Sequence, residues 1–198
     1  AVENTMDAEV AVVIADGSCV GTNRRKPGDP SDPHVPVLLV RRVNAGPPIA
    51  VMLISNMHPT VLHEDSTLVS GDFPGMTRQY LQQHVLGPEC VVLHHTGAAG
   101  NQSPRHVTRG NTFAEAGRLG FALGQAVEQA IANARYRSDL PLQCRRAFIE
   151  SMPIRQFPSS EWATENLAKA KARLASLRES KAPRADVRTA ECDWFGAE

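Results

Sequence analysis

From Pro48 to Ile131 strand-like and helix-like segments alternate, and that alternation limits the fold more than any other feature of the sequence. Pro48 to Ser55 (PIAVMLIS) is an apolar, β-branched run of strand length. Phe73 to Leu86 then reads as a helix, with Asp72 near its start and Gly87-Pro88 as a stop signal. Cys90 to His94 (CVVLH) is a short continuous apolar run, the pattern of an interior strand. Phe113, Ala116, Gly120, Leu123, Val127 and Ile131 recur at three- and four-residue steps, which marks one face of a second helix. Strand–helix–strand–helix order implies an α/β fold, a mixed and largely parallel sheet flanked by helices.

The flanking segments are read the same way. Glu9 to Asp16 (EVAVVIAD) is a buried strand ending in the Asp16-Gly17 turn, and Gly21 to His34, crowded with Pro, Gly, Asp and Arg, is loop. Val35 to Val43 and Pro48 to Ser55 form a hairpin across Asn44-Ala45-Gly46-Pro47. Gly117, Gly120 and Gly124 weaken the second helix, so they are expected to permit close packing against the sheet. Cys144 to Ile154 is expected as a further strand. Ser159 then caps a long helix whose stripe is Ala163, Leu167, Ala170, Leu174 and Leu177. Without internal repeats, residues 1–198 read as a single domain.

Charge and cysteine usage exclude several classes. Lys+Arg and Asp+Glu both number 21, and no basic stripe interleaved with aromatics is present, so no nucleic-acid partner is expected. No apolar run reaches transmembrane length. Cys19, Cys90, Cys144 and Cys192 are scattered without a CxxC pair, which excludes zinc-finger and thioredoxin motifs and does not suggest a disulfide framework. They read as small buried hydrophobes.

Three positions could carry chemistry. His58, in Asn56-Met57-His58-Pro59-Thr60, sits just past an apolar strand, where an α/β sheet projects groups into a crevice. A lone histidine there is more often structural than a ligand, but neutral imidazole suits zinc. Ser103 closes the glycine-rich Gly97-Ala98-Ala99-Gly100-Asn101-Gln102-Ser103-Pro104, whose backbone N–H groups could converge on an oxyanion. The bland alternative is a turn before a helix. Arg24, in Thr22-Asn23-Arg24-Arg25-Lys26, is either part of a solvated basic loop or a planar fork for a substrate carbonyl or carboxylate. His94 and His95 are adjacent on a strand and point to opposite faces, so at most one enters a crevice.

Asn23-Arg24, His58-Pro59-Thr60, Ser70-Gly71-Asp72 and Gly100-Asn101-Gln102-Ser103-Pro104, taken in that order, resemble the neutral/alkaline ceramidase family, with the flavour of its bacterial ceramidase-like branch. The resemblance runs from about Asp16 to Ile131. It implies a zinc-dependent hydrolase of an N-acyl amide, with His58 as a zinc ligand and Ser103 as nucleophile or partner of the zinc-bound water. Arg24 would lie near the substrate amide and Asp72 in a supporting position. It also implies that the other Zn2+ ligands lie outside these residues, a His-x-His segment upstream and a glutamate and tyrosine downstream. Gly100-Asn101 replaces the Gly-Asp common in the family. The chain thus reads as an internal piece of a catalytic domain, acting on an N-acyl lipid or other small amide, with peripheral membrane contact in the intact protein. Its compartment is open between secreted or periplasmic and cytoplasmic. The alternatives are a hydrolase of a different amide and a non-catalytic domain that retains the fold.

Overall fold

The computed structural model describes residues 5–198, except 45, 64–65, 142 and 154–155. They divide into two compact units, Ala1–Leu142 and Gln143–Glu198. The first contains β1 (Ala8–Asp16), β2 (Thr22–Asn23), β3 (His34–Arg42), β4 (Pro48–Ser55), α1 (Asp72–Tyr80), β5 (Val91–Thr96), β6 (Gln102–Ser103) and α2 (Phe113–Ile131). The second contains α3 (Ser160–Glu179) and α4 (Arg184–Ala197).

Four strands form a mixed sheet in the order β1-β3-β4-β5, and helices flank it, as the α/β reading expects. The β1–β3 and β3–β4 pairs are antiparallel, and β4–β5 is parallel. The parallel pair exists because α1, extended by a π-helical turn over Leu81–Leu86, carries the chain back to the start of β5. Gly87, at φ 87°, ends that helix in the left-handed region that glycine reaches without a Cβ penalty. The β3–β4 hairpin is present, with a register shift at Val40/Arg41.

One face of the sheet carries the core. Val37, Leu39, Val51, Leu53 and Val92 are buried there against Phe73 of α1 and Leu119, Leu123 and Val127 of α2. Full burial of each large side chain contributes roughly 1.5–3 kcal/mol. Alternation along the strands sends Val12, Ile14, Val91 and Leu93 to the opposite face, where they are 48–64% exposed.

Helix α2 departs from the expectation about its glycines. A Cβ on Gly120 would lie 2.5 Å from both Phe73 O and Met76 Cβ, and one on Gly124 would strike the Tyr80 ring. Both therefore permit close approach to α1, not to the sheet. A Cβ on Gly117 would meet nothing within 4 Å. Thr77 Oγ1 uses the approach, donating to Phe73 O and Gly120 O at 3.0 Å.

In the second unit α3 begins where Ser159 Oγ accepts from Trp162 N at 3.3 Å, the cap read from the sequence. The α3 stripe finds its partner in α4, an element sequence periodicity did not reveal. Leu174 and Ala190 are buried, and Arg173–Asp193 and Arg178–Glu191 ion pairs join the helices. The strand expected over Cys144–Ile154 is a correction. Residues 144–153 form no strand, and Phe148 and Ile149 are 73% and 78% exposed; Ile154 lies outside the described residues. A stretch with a few apolar residues does not become a strand without a neighbour for its backbone. All four cysteines are free. Cys90 is buried and Cys19 half-buried, but Cys144 and Cys192 are exposed, contrary to the buried reading.

Candidate active site at the strand ends

Strands β4 and β5 are parallel, so both leave the sheet on the same side. Ser55 pairs with Thr96, and Gly97 N donates to Ser55 O at 2.9 Å. The loops that follow, 56–60 and 97–101, begin side by side at the carboxyl ends of the strands, where open α/β sheets place ligands.

Main-chain bonds then bring a third segment to the same place. β2 pairs with β6, with Thr22 opposite Ser103 and Asn23 opposite Gln102. Arg24 N donates to Asn101 O at 2.7 Å, and His58 N donates to Gln102 O at 3.1 Å. His106 Nε2 lies 3.2 Å from Arg24 O. The backbones of Arg24 and His58 are therefore held by Asn101 and Gln102, the two residues before Ser103. Two-residue strands like β2 and β6 carry no periodicity, which is why Gly21 to His34 reads as loop throughout.

The three side chains differ in exposure. Ser103 is buried, His58 half-buried and Arg24 exposed. Ser103 has extended backbone, and its Oγ accepts from Arg105 N at 3.3 Å as the cap of the turn over Pro104–His106. Gly21 lets β2 lie this close, since a Cβ there would sit 2.6 Å from Ser103 O and 2.7 Å from Met57 Sδ. The glycine-rich loop is less open to an oxyanion than its composition suggests. The amides of Ala98, Ala99 and Gln102 already donate, to Asn56 Oδ1, Gly97 O and Ala99 O.

Buried charge supports these loops from behind. Asp72, in the left-handed region at φ 51°, opens α1, and its carboxylate accepts from Phe73 N at 2.7 Å and Leu62 N at 2.8 Å. That bond ties the turn after His58 to the helix. Glu115, in the first turn of α2, accepts from Arg109 N at 2.8 Å and from Arg118 Nη2 at 2.6 Å. Arg118 in turn donates to Val107 O at 3.1 Å. The Arg118 guanidinium holds the Glu115 carboxyl down at about 2. This clamp fastens the segment after Ser103 to α2. Sequence reasoning passed over Glu115, although Thr112-x-x-Glu115 is a helix-start signature and Thr112 Oγ1 does accept from Glu115 N. Nothing in the pattern marks Asn23 or Gln102, because buried polar loop residues look like surface ones.

The zinc that the resemblance implies meets a plain test. Among the described residues no three His, Cys, Asp or Glu side chains are grouped as a metal centre requires. His58 is one candidate ligand, and the residues present do not make the centre by themselves.

The fold has counterparts of a recognisable class, the ceramidases. A ceramidase solved as a complex with C2 superposes with a TM-score of 0.55 at 16% identity, covering 65% of this chain and 23% of that one. The neutral ceramidase from Pseudomonas aeruginosa gives a TM-score of 0.53 at 16% identity, with the same coverage. At that identity the likeness is one of fold, and this chain spans 23% of the length of either structure. No family model and no curated protein matches the sequence.

Proposed function

We propose that this chain carries part of the active site of a ceramidase-like hydrolase of N-acyl amides. The observation that supports it most is that the backbones of Arg24 and His58 are bonded to Asn101 and Gln102, the two residues before Ser103, beyond the carboxyl ends of β4 and β5. Three segments far apart in sequence, each matching a motif of the resemblance, are thereby brought together. The ceramidase-like fold agrees with this reading.

In the proposed reaction the acyl carbonyl lies beside Ser103, and Arg24, whose side chain is exposed, orients it through its planar fork. Ser103 Oγ either attacks the carbonyl carbon, its proton passing to the departing amine nitrogen as the C–N bond breaks, and leaves an acyl ester that water then cleaves, or it holds the attacking water. His58 would supply one imidazole to a zinc ion whose other ligands the described residues do not provide, and zinc bound there would polarise the acyl carbonyl. The leaving group is the amine of a sphingoid base in the ceramide case, and the acyl product is a fatty acid.

The test is release of fatty acid from a short-chain N-acyl sphingosine by the intact protein, with Ser103→Ala beside it. The expected result is turnover by the wild type and a loss of at least about 100-fold in the variant. Undiminished turnover by Ser103→Ala would remove the serine from the mechanism. Hydrolysis of simple acyl amides but not of acyl sphingosine would keep the amide chemistry and change the substrate. No hydrolysis of either would sink the reading.

A further inference from the structure

Gln102 does more than accept from His58. Its side-chain Oε1 accepts from Asp32 N at 2.7 Å, and Asp32 Oδ2 accepts from Asn56 Nδ2 at 2.9 Å. Asn56 Oδ1 accepts from Ala98 N at 2.9 Å, and Ala98 O accepts from Gln102 Nε2 at 3.1 Å. Four bonds return to the residue where they began. The circuit takes Asp32 from the segment before β3, Asn56 from the end of β4, and Ala98 and Gln102 from the loop after β5. Each amide side chain gives its N–H₂ in one direction and its oxygen in the other, so neither can be flipped without breaking two bonds.

We propose that this closed ring is a positioning device, and that Gln102, Asp32 and Asn56 fix the spacing between His58 and Ser103. Gln102 is buried, its main-chain carbonyl holds His58, and the next residue is Ser103. Its side-chain bonds to Asp32 and Ala98 tether the backbone from which both are placed. Gly97 is the seat the ring needs, because a Cβ there would strike Asn56 Oδ1. The ring is braced on its outer side, where Asn23 Nδ2 and Asn101 Nδ2 both donate to Pro30 O at 2.9 Å. It is also anchored in charge. Asp32 Oδ1 accepts from His34 N and lies 2.8 Å from His34 Nδ1, and these bonds keep the carboxyl below its ordinary range. An ionised Asp32 only accepts, so it selects the Asn56 orientation that aims Oδ1 at Ala98 N.

The catalytic part of this inference rests on the amide-hydrolase reading; the geometric part does not. Two variants of the intact protein test it. Gln102→Met keeps the volume and removes both side-chain bonds. Amide hydrogen exchange should rise about tenfold or more at His58 and Arg24 as well as at Asp32, with Val51 and Leu53 unchanged. Acceleration confined to Asp32 would overturn the ring as a positioning device. Asn56→Leu keeps the approximate volume and removes both ring bonds of that residue. For that variant kcat should fall about tenfold while KM stays within about twofold of wild type. An unchanged kcat, or a loss confined to KM, would overturn the role in catalysis. Should Gln102→Met fail to fold, exchange at His58 and Arg24 in Asn56→Leu decides the geometric claim by the same criterion. A wild type that cleaves no acyl amide ends the functional reading, and the exchange data then judge the ring alone.

Discussion

His94 Nε2 lies 3.1 Å from Ser55 Oγ, across the parallel ladder from which both loops of the candidate site depart. The ring meets Phe73 edge-on, and its buried Nδ1 makes no well-formed hydrogen bond among the described residues. Of the two adjacent histidines it is the one turned towards the helices, and His95 is exposed, as strand alternation requires. His94 is thus a packing residue that reaches the carboxyl end of the sheet.

Burial, reinforced by the nearby positive charges of His95 and Arg78, lowers the His94 pKa from 6.5 to about 4. The unfolded chain then binds the extra proton between those values. The stabilisation is fully present above pH 6.5 and is lost as pH falls towards 4, about 3 kcal/mol in all. Thermal midpoints measured from pH 7 to pH 4 should fall, and His94→Gln should flatten that slope. An unchanged slope would exclude His94 as its source.

Glu115 titrates lower. Its stabilising bonds are present above its ordinary pKa of 4.5 and are lost only as pH falls towards about 2. At neutral pH the informative change is Arg118→Met, which leaves the Glu115 carboxylate short of its donor and Val107 O without its own. A cost of roughly 1–3 kcal/mol is expected, with faster amide exchange at Arg109. Denaturant unfolding and exchange together check both.

At Gly120, substitution by valine should drive the side chain into Phe73 O and Met76 and push α1 off α2. Overpacking of this kind costs about 1–3 kcal/mol. Gly117→Ala, at a position with open space, should be neutral or slightly stabilising. Equal effects at the two positions would contradict the helix contact.

Gly21→Ala places a methyl group against Ser103 O and Met57 Sδ. The expected outcome separates function from folding. Acyl-amide turnover should drop by about tenfold or more, while the thermal midpoint shifts by only a few degrees. A fall in stability without a change in turnover would mean that β2 does not set the geometry of Ser103.

The elements of the first unit were legible wherever burial is periodic. The runs of β1 and β5 read as a buried and an interior strand, yet they are the outer strands of the four-stranded sheet, with Val12, Ile14, Val91 and Leu93 exposed. The strand segments themselves and the α2 stripe follow from side-chain spacing, which the sequence carries directly. So do the Ser159 cap and the Gly87 stop. Cys144–Ile154 misled because β propensity needs a neighbouring strand, and α4 escaped because its apolar face is narrow and its ties to α3 are ion pairs.

What the sequence determined by itself is local: which segments are strands, where helices start and stop, and that His58 and Ser103 follow strands. The tertiary structure alone decided that α1 returns the chain to make β4 and β5 parallel, so that their two loops emerge together. It alone joined Arg24 to Asn101 and closed the circuit through Gln102, Asp32, Asn56 and Ala98. The reason is physical. Periodicity reports how a side chain meets its own element, whereas a hydrogen bond between residues some seventy positions apart (Asp32 to Gln102) exists only once the sheet has set both ends in place.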